Sequence, residues 1–231
     1  MLPPKKIPKK YQPAGYEILY EDRDIIVGNK AAGFLTVRAL WNKDQTIHAA
    51  LNSYVRKGNS KSRRCVYVVH RLDQDTSGVL IFAKSEAAQI FLKGNWKNTT
   101  KAYYAVVHGH MKKKSGMISS CLMEDEDYVV HSTVDQVNAK LAHTEYEVVK
   151  ETAKFSLVKI NLLTGRKNQI RVHLADQGHP VVGDSKYGKS GHAYPRLALH
   201  SHSISFTHPF SKARLNFEVP VPEHFTTLIG K

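Results

Sequence analysis

Cysteine is almost missing from this sequence: Cys65 and Cys121 are the only two, and they do not make a Cys-x-x-Cys pair. That argues against a disulfide-stapled scaffold and a cysteine zinc site, and it suits a reducing cytosol. Long apolar runs are absent as well, since none approaches the roughly 18 residues of a membrane helix. The amino terminus, Met1-Leu2-Pro3-Pro4-Lys5-Lys6-Ile7-Pro8-Lys9-Lys10, has lysines and prolines where a secretory signal has its apolar core. Residues 1–15 are therefore expected as an extended basic arm, ahead of one folded domain over 16–231. Gly165-Arg166-Lys167 lacks the upstream glycines of a phosphate-binding loop, so no nucleotide cofactor is expected. Acid is scarce relative to base. Lys and Arg total 34 against 20 Asp and Glu, a formal charge of +14, and the pI is near 9.7. Such an excess points to an anionic partner, a phosphate backbone or an acidic membrane surface, and says little about fold.

What is present suits a folded protein: 231 residues, 42% hydrophobic and 23% charged, enough for a sizeable core. Opening strands are expected at Tyr16 to Tyr20 and Asp24 to Lys30, followed by a turn at Asn29-Lys30-Ala31-Ala32-Gly33. Thr46 can cap a helix whose face is Ile47, Ala50, Leu51, Tyr54 and Val55, ending near Gly58. Ser85 can cap another running through Ile90, Phe91 and Trp96. Strand-like alternation marks Lys101 to Gly109, His143 to Lys150, Phe155 to Leu163, Leu197 to Phe206 and Ala213 to Val219. Asn168 to Gln177 reads as a short helix stopped by Gly178. Met111 to Asn138 gives no clear period; its acidic stretch Glu124-Asp125-Glu126-Asp127 would repel phosphate and is expected away from any nucleic-acid face. Many strands in succession with few helices indicate an α+β fold with a mixed or largely antiparallel sheet.

The densest signal is His70-Arg71-Leu72-Asp73-Gln74-Asp75-Thr76-Ser77-Gly78, between the apolar runs Val66-Tyr67-Val68-Val69 and Val79-Leu80-Ile81-Phe82. It sets a carboxylate beside a fixed cation at a strand end, where a scaffold can hold it still. From these residues alone, Arg71 and Asp73 are equally well read as a pair across a turn. The basic run Arg56-Lys57-Gly58-Asn59-Ser60-Lys61-Ser62-Arg63-Arg64 lies just before it; Arg63 and Arg64 are candidates for gripping a phosphate backbone, against the plainer reading of a solvated loop. Among the 13 histidines, His108-x-His110 and His200-x-His202 are strand-like pairs without a third ligand at metal spacing, so no metal site is expected.

The pattern His-Arg-Leu-Asp-x-x-Thr-Ser-Gly resembles the catalytic motif of the RluA family of RNA pseudouridine synthases. A sister family usually carries Gly where this chain has His70, which favours the RluA branch. Lys101-Ala102-Tyr103-Tyr104-Ala105 is similar to that family's Lys-x-Tyr-x-Ala. Gly165-Arg166-Lys167-Asn168-Gln169-Ile170-Arg171-Val172-His173 is similar to its Gly-Arg-x-His-Gln-Ile-Arg-x-His, with Asn168 where His is usual. Asn29-Lys30-Ala31-Ala32-Gly33 resembles Asn-Lys-Pro-x-Gly, and loss of the proline at Ala31 is expected to loosen that turn modestly. Gly178 to Gly188 and Leu197 to Phe210 fit the family too, so the likeness runs from about Tyr16 to Pro222 and leaves no room for a separate S4 RNA-binding domain.

The resemblance implies a long, bent, mixed and mainly antiparallel sheet flanked by helices and loops, with a central RNA-binding cleft. It implies that Asp73 is the essential catalytic residue, that Arg171 salt-bridges it, and that Tyr103 supplies a flat surface for the base and a phenolic oxygen near the reacting carbon. It gives Arg71 the role of filling the space a flipped nucleotide vacates, and brings His70, Arg166, Lys167 and Gln169 onto the RNA-contact list with Arg63 and Arg64. The expected reaction isomerises a uridine of rRNA or tRNA without cofactor or metal, in the cytoplasm, by a monomer whose partner is structured RNA. Two other classes stay open on the residues: an inactive RNA-binding relative, and a glycosidic hydrolase, which usually wants two partnered acids.

Overall fold

The computed structural model describes residues 7–39, 45–188 and 194–230. The chain forms two compact units, residues 1–99 with 203–219, and residues 100–202 with 220–231. Of the expected N-terminal arm, Met1 to Lys6 fall outside the described residues, and Lys9–Tyr11 make one 3-10 turn.

In the first unit, β1 (Tyr16–Glu21) pairs antiparallel with β2 (Ile25–Lys30), and β2 with β4 (Ser77–Ala83). The register runs from Ile25 opposite Ala83 to Lys30 opposite Gly78. β4 is buried at every position, which is why its sequence is a continuous apolar run rather than an alternation. Ile25, Val27, Val79, Ile81, Ile204, Phe206 and Val219 form this unit's core. Val66 to Val69 contracts to β3 (Tyr67–Val68), paired with β4. Helix side chains satisfy the backbone beside it: Asn52 Oδ1 accepts from Val66 N at 2.9 Å, and Gln89 Nε2 donates to Val68 O at 2.7 Å.

Helix α1 (Ile47–Arg56) starts where expected, with Thr46 Oγ1 accepting from Ala49 N at 3.1 Å, and stops at Lys57 in the left-handed region, φ 50°. Helix α2 (Glu86–Gly94) is capped by Ser85, whose Oγ accepts from Ala88 N. Its inward face is Ala88 and Leu92, one turn apart; Ile90 lies between them on the helical wheel's far side and is 64% exposed. Trp96 leaves the helix for a 3-10 turn over Trp96–Asn98.

The second unit contains the strand order β5-β9-β8-β6-β7. These are β5 (Thr100–His108), β6 (Ser115–Glu124), β7 (Val130–Thr133), β8 (Lys140–Glu151) and β9 (Phe155–Leu162), all antiparallel. The illegible stretch is the β6–β7 hairpin. Its serines, Ser119, Ser120 and Ser132, stand where a strand signal needs apolar residues. Helix α3 (Gln169–Asp176) follows β9, and Val172 packs with Leu122, Val130 and Ala142. Strand β10 (Leu199–Thr207) runs from the second unit into the first, where Ser203 to Thr207 pair with β11 (Arg214–Glu218). The chain ends in α4 (Glu223–Ile229), which buries Phe225 and Ile229 and is too short for its sequence pattern to reveal.

Candidate active site

Asp73 sits half-buried in the turn between β3 and β4, and the backbone on both sides of it is fastened. Thr36 Oγ1 accepts from Leu72 N at 3.2 Å and donates to Leu72 O at 2.8 Å, standing in for a strand partner. Thr76 N closes the turn on Asp73 O at 3.2 Å, and Gly33 N donates to Gln74 O at 2.9 Å. Beneath lies Lys30, 0% exposed, whose Nζ donates to Gln74 O and Thr76 O at 2.8 Å and to Ala31 O at 3.0 Å. Three carbonyls match the three N–H groups of an ammonium. Burial pulls Lys30 down to about 7, while the nearby charges of Asp75 and Asp73 push it back up. The sequence pattern presents Lys30 only as part of a turn. A signal of its burial is nevertheless there: a lysine ends the otherwise apolar strand Ile25-Ile26-Val27-Gly28-Asn29-Lys30, and such a residue needs partners wherever it is buried.

At Ala31 the backbone has a tie of its own. Its N–H donates to Gly15 O at 2.9 Å, a bond that a proline at this position lacks.

In the second unit, Tyr103 is a buried residue of β5 opposite Ile160, while Tyr104, on the other face, meets the His202 ring edge-on at 5.0 Å. Arg171, a residue type usually found at the surface, is buried here. Every residue of α3 from Gln169 to Leu174 is buried, and the Arg171 side chain is only 10% exposed. Its Nε donates to Asp184 Oδ2 at 2.8 Å and its Nη2 to Oδ1 at 2.7 Å. Burial raises the Asp184 carboxyl, but the Arg171 bonds and charge, with the N–H groups of Tyr187 and Lys186, outweigh it and hold the group below the usual carboxylate range. Asp184 is the other residue that sequence reasoning misses, although it lies in the Gly183-Asp184 stretch that fits the family.

A second network pins α3. Ser132 Oγ donates to Asp176 Oδ2 at 2.5 Å, Ser120 Oγ lies 3.0 Å from Ser132 Oγ, and His173 Nε2 lies 3.1 Å from Ser120 Oγ. His173 Nδ1 is 2.8 Å from Thr144 Oγ1, which accepts from Gln169 Nε2 at 2.9 Å. A carboxylate only accepts, so the donor order runs along the chain: Ser132 donates to Asp176, Ser120 to Ser132, and His173 Nε2–H to Ser120. Nδ1 is then left to accept from Thr144, and His173 is neutral. Burial drives its pKa down to about 4, against the charge of Asp176 and with that of His143.

The RNA-contact candidates separate on this geometry. Arg71, Arg63 and Arg64 are exposed. Gln169 has to be removed: its Oε1 accepts from Thr164 Oγ1 and Arg166 N, and its Nε2 donates to His143 O and Thr144 Oγ1, which leaves nothing for a ligand. His70 is also a packing residue, its ring 4.8 Å from that of Trp96 and its Nε2 accepting from Ile81 N at 3.2 Å. Arg166 is exposed, with Nε donating to Leu141 O. Lys167 pairs with Glu124 and donates to Tyr128 O at 3.2 Å. The acidic stretch therefore lies against the motif that carries Arg171, not apart from it.

Among the described residues, Asp22, Asp24 and His208 bring ligand atoms within 4.8 Å of one another. The chemistry does not fit a metal. His208 Nδ1 accepts from Phe210 N and Ser211 N, so Nε2 carries the proton given to Asp22 Oδ2 at 2.8 Å, and the ring has no lone pair left. Among the described residues, no helix is long and apolar enough to cross a membrane.

With both clusters placed, the relatives decide the family. The sequence pattern of the RNA pseudouridylate synthase family matches residues 24–176. The chain belongs to that family. Its members are isomerases acting on RNA. This pseudouridylate synthase family member is 34% identical to the uncharacterized RNA pseudouridine synthase YjbO of Bacillus subtilis, across 94% of this chain and 77% of that protein. It is 32% identical to the ribosomal large subunit pseudouridine synthase C of Vibrio cholerae, across 93% and 68%. Among solved structures it matches human RNA pseudouridylate synthase domain containing 1 with a TM-score of 0.73 and 27% identity, covering 93% of this chain and 86% of that one. The α+β, mainly antiparallel architecture is that of the family.

Proposed function

We propose that this protein converts one uridine of a structured RNA to pseudouridine, with Asp73 as the reacting carboxylate. The observation that carries the proposal is the fastening of the Asp73 turn by Lys30, Thr36 and Gly33 inside the His-Arg-Leu-Asp-x-x-Thr-Ser-Gly motif. A carboxylate held this way meets the sugar of an extruded nucleoside in a set geometry, as nucleophile or as base at the ribose 2′ position. Arg171 takes the family's role of charge partner to that carboxylate. Tyr103 takes the role of stacking surface and of the group that removes the ring carbon 5 proton after rejoining. The glycosidic bond breaks, the uracil turns, and carbon 5 joins the anomeric carbon, so atoms balance without any co-reactant.

Extruding the base costs a few kcal/mol, less from a loop than from a duplex. Exposed Arg71 fills the vacated space in this reading, and Arg63 and Arg64 contact phosphates. Three relatives' names specify the large ribosomal subunit, which makes ribosomal RNA the first substrate to test and transfer RNA the second. The working form is a cytoplasmic monomer, without nucleotide cofactor, in which both units serve one catalytic domain.

The test is purified protein with total RNA, pseudouridine being mapped by carbodiimide-induced stops in reverse transcription. The expected result is one dominant site, lost with Asp73→Asn while RNA binding persists. Release of free uracil would assign a hydrolase instead, and turnover by Asp73→Asn would remove Asp73 from the chemistry. Tyr103→Phe is expected to bind RNA but turn over poorly.

A further inference from the structure

The turn from Gly183 to Gly188 does more than lead the chain from α3 toward β10. Gly183 has φ +75°, and a Cβ there would stand 2.0 Å from the Arg196 carbonyl oxygen; one on Gly188 would stand 2.2 Å from Asp184 O. Only glycine fits at either end, so the turn is tightly folded, with Gly188 N donating to Asp184 O at 3.0 Å. Two side chains on this turn converge on one target. Asp184 grips the Nε–Nη2 edge of Arg171, and the Arg171 Cζ lies 5.2 Å from the centre of the Tyr187 ring. Asp184 is itself braced, since its Oδ1 also accepts from Lys186 N and Tyr187 N at 2.9 Å. The ring is braced in turn: Tyr187 OH donates to Asn168 Oδ1 at 3.3 Å and accepts from Val130 N at 3.2 Å.

Resting on the reading of Arg171 as part of the catalytic set, we infer that Asp184, Tyr187 and Asn168 are positioning residues for Arg171. Asp184 is a two-pronged carboxylate grip, Tyr187 an aromatic floor, and Asn168 the amide that holds the floor in place. An arginine side chain has many rotamers, and a charge partner that wanders cannot hold a reacting carboxylate in one orientation. Parallel N–H···O bonds to one carboxylate fix the guanidinium plane as well as its position. The ring below restricts rotation out of that plane. Asn168 explains itself here. It sits at φ 52°, in the left-handed region where Asn is among the best tolerated residues, and it keeps an acceptor at the place where the resembling family carries His.

The experiment is steady-state kinetics on the RNA that the mapping identifies. Asp184→Asn, which keeps shape but removes the charge of the grip, is expected to lower kcat about ten- to a hundred-fold while the KM for RNA stays within about two-fold. Combined with Arg171→Lys, which cannot make the two-pronged contact, it is expected to cost nothing further, because both changes break one interaction. An unchanged kcat, or the same fold loss in both backgrounds, would overturn the inference. Where Asp184→Asn does not fold, Tyr187→Leu against Tyr187→Phe decides: a larger kcat loss without the ring supports the floor, and full rates in both overturn it. The Arg171 Nε–H resonance supplies a readout independent of turnover, slow to exchange with water in the wild type and fast in Asp184→Asn. Wild-type protein that forms no pseudouridine on any RNA would sink the proposed function and the catalytic role of this cradle with it. Full-rate Asp184→Asn in a protein that does form it would sink the cradle alone.

Discussion

Around Asp73 the chain is gripped through its carbonyls, by the ammonium of a lysine sunk beneath the turn. Around Arg171 it is gripped through side chains, by a carboxylate, a phenol and a file of hydroxyls ending at Asp176. The contrast has consequences for tolerance. Carbonyls are the same at every residue, so Gln74 and Asp75, whose positions the motif leaves open, can vary while the Lys30 clamp holds. The Arg171 side has no such freedom, because Ser120, Ser132, Thr144 and Gln169 each fill a donor or acceptor slot that another residue type would leave empty.

Breaking the first grip is expected to have the largest effect. Lys30→Met keeps the bulk of the side chain but leaves buried carbonyls without that donor, and should lower unfolding stability by about 3–5 kcal/mol in urea titration, with turnover falling alongside. A variant that is active and as stable as the wild type would show that Thr36 and Gly33 hold the turn by themselves. Next comes Arg171→Ala, which leaves the wholly buried Asp184 carboxylate uncompensated; about 3 kcal/mol of stability should be lost, and most of it regained in the double variant with Asp184→Asn. No recovery in the double variant would locate the cost in packing instead.

The His173 file can be probed with acid. Its folded pKa, about 4, lies below the ordinary 6.5, so the unfolded chain binds a proton that the native protein refuses. The stability contributed by neutral His173 is complete above pH 6.5 and is lost as pH falls toward 4. The slope of stability against pH in that window should flatten in His173→Gln, and an unaltered slope would assign it to other groups. Ala31→Pro is the smallest perturbation. It removes the N–H bond to Gly15 O and restricts the unfolded chain, two opposing contributions of about 1 kcal/mol or less, so the melting temperature should hardly move.

Much of this architecture is legible in the sequence because local rules and tertiary packing agree. Thr46 and Ser85 cap as their spacing indicates, and the all-apolar β4 is buried on both faces. The motif residues that carry the family likeness are legible for the same reason, each sitting at a defined offset. Legibility fails where partners come from far along the chain. Nothing local ties Arg171 to Asp184, Lys30 to the carbonyls of 74 and 76, or Gln169 to Thr144, and a glutamine inside a motif looks like a ligand contact until its bonds are counted. The β6–β7 hairpin is unreadable because its serines serve hydrogen-bonding rather than burial.

Lys30 carries one last consequence. Its ammonium is sealed from solvent, with its N–H groups taken up by the carbonyls of Ala31, Gln74 and Thr76. Amine-reactive reagents will therefore label the many surface lysines and skip this one as long as its enclosure stays shut. The slow appearance of a label on Lys30, tracked by peptide mass spectrometry, becomes a clock for how often that enclosure opens.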